Sequence, residues 1–218
     1  MARKGFAINE YYHCFNRGTD KRTVFLDQED YQYFLDGLDL YNQTKSLGSM
    51  RAYKYNLNIE SVHKNETTPL VEIVAYCLNP NHYHLLLREI HDSGISKFIQ
   101  KLSTGYTKYF NEKYKRNGVL FQGKFKYVHI GTDEQLQYIG VYVNLNNLVH
   151  KITNNSKYKS SLENYKSTQK FPKCSHEVLA SEYKSIENYE LESKKMLPEI
   201  IRRKEEIKDL TKSEFIAD

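Results

Sequence analysis

Residues 70–89 read LVEIVAYCLNPNHYHLLLRE: two β-rich apolar runs, 70–78 and 82–89, split by Asn79-Pro80-Asn81. Proline fixes its own φ and asparagine tolerates turn backbone, so the stretch predicts an antiparallel hairpin. Side chains alternate along a strand, which places His82 and His84 on one face and Tyr83 on the other. Two imidazoles held side by side are a start for a divalent-metal site. They are also what a sheet with two hydrogen-bonded histidines looks like, and the spacing alone leaves both open.

Working outward, YYHCFNR (11–17) is β-prone and stops at Gly18, a first strand. From Gln28 to about Tyr41, Tyr31, Phe34, Leu35 and Leu38 recur at helical spacing. Residues 42–69 are polar and aperiodic, a long connection with room for a short strand. Downstream of the hairpin, Ile95, Phe98, Ile99, Leu102, Tyr106, Tyr109 and Phe110 form a helical stripe running to Arg116-Asn117-Gly118. VLFQGKFKYVHI (119–130) predicts a further strand bent at Gly123, and Thr132 with Gln135 forms a capping box opening a helix through about Asn147.

The order β-α-β-β-α-β-α predicts an α+β fold: a ferredoxin-like, RRM-like antiparallel sheet with helices packed on it. Beyond residue 150, polar KITNNSKYKSS leads to a charged tail, from about His176 to Leu210, with helical character. The division expected is a main domain over 1–165 and a helical C-terminal appendage over 166–218.

The chain has 218 residues and a formal net charge of +5, too mild to name a partner. Its distribution says more. Residues 94–130 hold eight lysines and arginines (Lys97, Lys101, Lys108, Lys113, Lys115, Arg116, Lys124, Lys126) against the single acid Glu112. Tyr106, Tyr109, Phe110, Tyr114, Phe121, Phe125 and Tyr127 interleave with them. Cations for phosphates and flat rings for bases are what a single-stranded nucleic acid needs, although tyrosine is abundant throughout this chain. The three cysteines, Cys14, Cys77 and Cys174, are scattered and odd in number, which points away from a disulfide framework or a Cys-based zinc site. With no run of membrane-spanning length and no signal-peptide pattern, the expectation is a soluble, cytoplasmic protein without a membrane partner.

A partner for the histidines is expected on the helix after Thr132. Tyr138, Tyr142 and Asn146 lie at i, i+4 and i+8, one edge beside the apolar stripe Leu136, Ile139, Val143. That edge borders the contact with the sheet and could face His82 and His84. Tyr142 is on this reading either a border residue of an amphipathic helix or something more.

PNHYHLLL, followed after a basic helix by GVLFQGKFK and then YVNLNN, resembles the single-tyrosine HUH transposases, most closely their REP-associated tyrosine transposase branch. YYHCFNRG and VFLDQEDYQYFL resemble the family's first strand and helix, so the likeness runs in order from about residue 10 to 165. The HUH motif, His-hydrophobic-His, falls on His82, Tyr83 and His84. The resemblance implies Tyr142 as nucleophile and Asn146 as third metal ligand beside His82 and His84. It further implies Mg²⁺ or Mn²⁺, the imidazoles favouring Mn²⁺, and metal-dependent nicking and transfer of single-stranded DNA through a 5′-phosphotyrosine. A hairpin-containing strand is the implied partner, with monomer and homodimer both open and a nucleoid-associated location.

Arg17, Arg116, Lys124 and Lys126 are the candidate DNA contacts, Lys124 and Lys126 alternating on one strand face. The chain departs from the family at Asn147, where proline is usual, at LNPN before the first histidine, in the length of 42–69, and in a tail after about residue 168 with no counterpart. Two other readings stand: a replication-initiator or relaxase-type HUH nickase, and a non-catalytic single-stranded nucleic-acid-binding module with structural histidines.

Overall fold

The structure, a computed structural model, describes residues 5–46, 50, 68–154, 157–166, 174–181 and 183–214. Most of the 42–69 connection lies outside the described residues. The strands are β1 (Tyr11–Arg17), β2 (Val71–Asn79), β3 (His82–Glu89), β4 (Lys126–Ile130) and β5 (Lys159–Ser160). The helices are α1 (Gln28–Leu40), α2 (Gly94–Lys113), α3 (Asp133–Asn144), α4 (Asn146–Val149), α5 (Ser161–Tyr165), α6 (Glu177–Ala180) and α7 (Ile186–Glu214).

The sheet order is β4-β1-β3-β2-β5 with antiparallel neighbours throughout, the α+β arrangement expected from the sequence. β2 and β3 form the hairpin, with Asn79 opposite His82 and Cys77 opposite His84. An extra residue bulges from β2 between Ile73 and Ala75. One face of the sheet carries Tyr83, Leu85 and Leu87 and is covered by α1 and α2. There Phe34 of α1 meets Tyr83 with ring centroids 5.2 Å apart. The other face, carrying His82, His84 and Leu86, is covered by α3.

Local chemistry fixes where the helices begin. Asp27 and Asp30 form a reciprocal capping box at α1. Glu89, fully buried at the end of β3, accepts hydrogen bonds from the backbone N–H groups of Gly94 and Ile95 and so caps α2, at 2.9 and 2.7 Å. Thr132 caps α3, accepting from the Gln135 N–H. Gly140 lets α6 close on α3, since a Cβ there would lie 2.5 Å from Leu179.

Three segments differ from the sequence reading. The expected strand over 119–130 is regular only from Lys126. Before it, Gly123 turns the chain at φ +62°, and Phe121 makes an isolated bridge to Gly18. The helix expected through Asn147 ends at Asn144, and Leu145 at φ −104° and ψ 14° separates it from the single turn of α4. The polar stretch after residue 150 supplies β5, which pairs Ser160 with Cys77.

The C-terminal segment is helical and well buried at its contact. Tyr189 and Ile200 of α7 are 0 % and 1 % exposed. A buried polar network ties it to α3: the Asn144 amide donates to Tyr189 Oη at 2.9 Å and accepts from Ser161 Oγ at 2.6 Å. Tyr165 Oη donates to the Val74 carbonyl at 2.7 Å.

Candidate active site

Strand alternation builds the floor of the site. His13, Phe15 and Arg17 of β1 pair with Leu86, His84 and His82 of β3, so the three face α3 together with the two motif histidines. Lys126 of β4, opposite Phe15, joins the same face. A cavity of about 300 Å³ opens here, lined by Phe15, Asn16, Arg17, His82, His84, Gln122, Lys126, Tyr142 and His150.

The sequence-selected residues His82, His84, Tyr142 and Asn146 come together. The His82 and His84 rings stand perpendicular with centroids 5.1 Å apart. Tyr142 presents its ring edge-to-face to His84 at 5.6 Å. Asn146, fully buried, places Oδ1 3.2 Å from His82 Nε2 despite the break at Leu145. Its Nδ2 is buried without a hydrogen-bond partner.

Three further residues belong to the site and were not selected from the sequence. Asn79 donates Nδ2–H to Asn146 Oδ1 at 2.7 Å and lies 3.0 Å from His82 Nε2. His13 Nε2 meets His84 Nδ1 at 2.8 Å. The His150 ring lies tilted at 58° beside that of His82, with centroids 4.6 Å apart. Asn79 was read as a turn residue. His13 could have been found from the parity of its strand, which aligns it with Phe15 and Arg17. His150 continues the Tyr142, Asn146 spacing by four.

Electrostatically the histidines are neutral. Burial pulls the pKa of His13 and of His82 down to about 4, while Asn146 pulls His82 back slightly. His84 lies well below its usual value, through burial and then the neighbouring His13 and His82. Burial raises the Tyr142 hydroxyl, partly offset by the adjacent Asn146 amide.

This donor set fits a divalent cation. Imidazoles must be neutral to ligate, and these are. With Asn81 Oδ1 accepting from His82 Nδ1–H at 2.6 Å, Nε2 keeps its lone pair and accepts from the Asn79 amide at 3.0 Å, the same amide that donates to Asn146 Oδ1, so two acceptor atoms converge on one donor. The His13 contact at Nδ1 leaves Nε2 as the ligating nitrogen of His84 and orients the ring, the outer support that metal-binding histidines need. Among the described residues no three His, Cys, Asp or Glu side chains group to hold a metal, and the candidate set takes its third donor from the Asn146 amide.

The candidate DNA contacts divide. Arg17 and Lys126 line the cavity. Lys124 does not share their face as expected from alternation: it precedes β4, beyond the turn at Gly123. It lines a separate cavity of about 960 Å³ on the α2 side of the sheet, with Lys108, Phe125 and Tyr127. Arg116 is remote, its guanidinium bonded to Asn111 Oδ1 at 3.0 Å and placed over the Phe110 ring. No helix among the described residues is long and apolar enough to cross a membrane.

Residues 55–147 match the family model described as "Transposase IS200 like", a span that contains all four of His82, His84, Tyr142 and Asn146. No curated protein matches the chain. Among solved structures, one of a REP-associated tyrosine transposase bound to a REP hairpin is similar at 13 % identity and TM-score 0.48. That match covers 79 % of this chain and 88 % of the other. A candidate transposase from Deinococcus radiodurans R1 is similar at 14 % identity and TM-score 0.37, covering 64 % and 92 %. Over residues 55–147 this chain is thus similar to the IS200-like transposases.

Proposed function

We propose that this protein is a metal-dependent transposase that nicks single-stranded DNA and transfers the strand through a 5′-phosphotyrosine on Tyr142. One observation carries the reading: the hydroxyl-bearing ring of Tyr142 stands against His84 while Asn146 reaches His82, so nucleophile and donor set meet over one cavity. In this reading residues 1–165 carry the chemistry and 166–218 brace it.

His82, His84 and Asn146 would hold Mg²⁺ or Mn²⁺, which when bound polarises the phosphate and withdraws charge from its non-bridging oxygens. Arg17 and Lys126 hold the backbone of the incoming strand. Tyr142 Oη attacks phosphorus, the bond to the 3′ oxygen breaks, and that oxygen leaves as a hydroxyl after taking up a proton. A phenol is a weak nucleophile near neutrality because its pKa is about 10. Burial raises it further, so loss of the phenolic proton must be coupled to attack; the orphan Asn146 Nδ2 beside Tyr142 is a donor for the developing charge. The tyrosyl ester retains the energy of the broken bond, so attack by a second 3′ hydroxyl rejoins strands without a nucleotide cofactor. The substrate is a hairpin-containing single strand, as the resemblance implies.

The test is incubation with 3′-labelled hairpin DNA, the label that stays with a 5′-phosphotyrosine, and Mn²⁺ or Mg²⁺, read on a denaturing gel. A metal-dependent protein-linked band, lost in His82→Ala and Tyr142→Phe, supports the reading. Binding that survives chelation, with no adduct across a broad pool of hairpins, makes the protein a nucleic-acid-binding module instead.

A further inference from the structure

The tail that the family resemblance leaves unmatched reaches the site. Lys204 of α7 places Nζ 3.0 Å from His150 Nε2, and the His150 ring lies 4.6 Å from His82 and lines the cavity. α7 packs on α3 and α4, the two helices that carry Tyr142 and Asn146. From this placement we infer that Lys204 is a phosphate clamp: it binds a backbone phosphate of the DNA strand on the side of the histidine pair opposite Arg17 and Lys126.

The sides follow from the sheet. His82 is flanked by Arg17 of β1 on one side and by Asn79 of β2 on the other. Lys126 extends the first side, one strand further out on β4. α4, which leads into His150, packs on β2, so Lys204 approaches from the second side. Among the described residues lining the cavity there is no carboxylate, while Arg17 and Lys126 are cations. A floor without carboxylates, between cations at its two sides, suits a polyanion crossing it, with a charge gripped before and after the central phosphate. The His150 ring gives Lys204 a hydrogen-bond acceptor in the free protein, and a phosphate oxygen, being charged, is a stronger acceptor for an ammonium than an imidazole nitrogen.

This inference rests on the single-stranded DNA reading above, and its experiment separates the two. Binding of a fluorescent hairpin DNA with single-stranded flanks is measured against salt concentration for the full chain, Lys204→Gln, Lys204→Met, Lys204→Arg and the control Lys195→Gln. Lys195 sits on the same helix, paired with Glu192 on its exposed side. Each neutralised phosphate contact on a single strand contributes about 0.7 to the slope of log K against log salt. Lys204→Gln and Lys204→Met are expected to weaken binding and flatten the slope by about that amount. Lys204→Arg restores it, and Lys195→Gln leaves it unchanged. Melting temperatures run in parallel, and Lys204→Met keeps the apolar stem if the Gln variant loosens α7.

A slope unaltered in both neutral variants overturns the clamp, even where wild type forms the covalent adduct. A flattened slope without any adduct in wild type upholds the clamp and overturns cleavage. Absence of DNA binding by wild type overturns both.

Discussion

The ring of Tyr142 stands at 90° to the imidazole of His84, with 5.6 Å between centroids, and at 76° to that of His13, with 5.7 Å. Two histidines thus fix the orientation of the tyrosine before any substrate arrives. Tyr142→Phe keeps these ring contacts and removes one oxygen. DNA affinity and melting temperature are expected to hold, while the protein-linked DNA band disappears from a denaturing gel. A band that persists would put the nucleophile elsewhere.

The His13 contact with His84, 2.8 Å between ring nitrogens, predicts that metal affinity depends on a residue that does not ligate. His13→Ala frees the His84 ring to turn, and Mn²⁺ binding followed by calorimetry should weaken about 10–100-fold. Asn79→Ala, which removes the donor to Asn146 Oδ1, should act in the same direction. Unchanged affinity in both would mean that the ion sits away from this cluster.

Stability of the metal-free protein should fall on the acid side. His13 and His82 are held down at about 4 by burial, against an ordinary value near 6.5 in an unfolded chain. Between those values the unfolded chain takes up protons that the folded protein refuses, so stability is full above about 6.5 and drains as pH falls towards 4. For His13, which is 6 % exposed, the shift corresponds to roughly 3 kcal/mol at the acid end. Urea midpoints in chelator at pH 7.5, 6 and 5 would check this, and a flat profile would contradict it.

Tyr189→Phe tests the tie between α7 and α3. It removes the acceptor for the buried Asn144 amide at a cost of about 1–2 kcal/mol. For a chain of this size that is a fall of about 2–8 °C in Tm, measurable by calorimetry. A variant as stable as wild type would show that the network is satisfied without α7.

Where the signal is local, the sequence is legible. β1 ends at Gly18 and β2 at the NPN turn, and α1 and α3 begin at their capping residues Asp27 and Thr132. The parity of His82 and His84 and the helical row Tyr138, Tyr142, Asn146 bring the candidates to one face, and the family resemblance, not the spacing, chooses Tyr142 and Asn146 from that row. What escaped depended on contacts between distant segments. β5 is two residues long and exists because β2 offers an edge. Asn79 carries turn chemistry in the sequence and acquires its second role only when Asn146 arrives 67 positions later. Lys124 left the expected face because Gly123 takes a left-handed turn that no alternation rule includes.

The bulge in β2 has a bearing on heredity as well as geometry. It changes the count of the strand once, so Val71 and Ile73 face α1 and α2 while Ala75, Cys77 and Asn79 face the histidines. Loss of the single codon for the buried Val74 would leave a strand of nearly unchanged composition but uninterrupted parity. Ile73 and Ala75 would then be consecutive and still point to opposite faces, as their partners Leu87 and Leu86 do, so both ends of the strand would keep their faces and only the bulge and its local twist would be lost. Every codon encoding a site residue would survive such a deletion, and so would the face that each of those residues occupies, which makes this the one position of the strand where a lost codon spares the site.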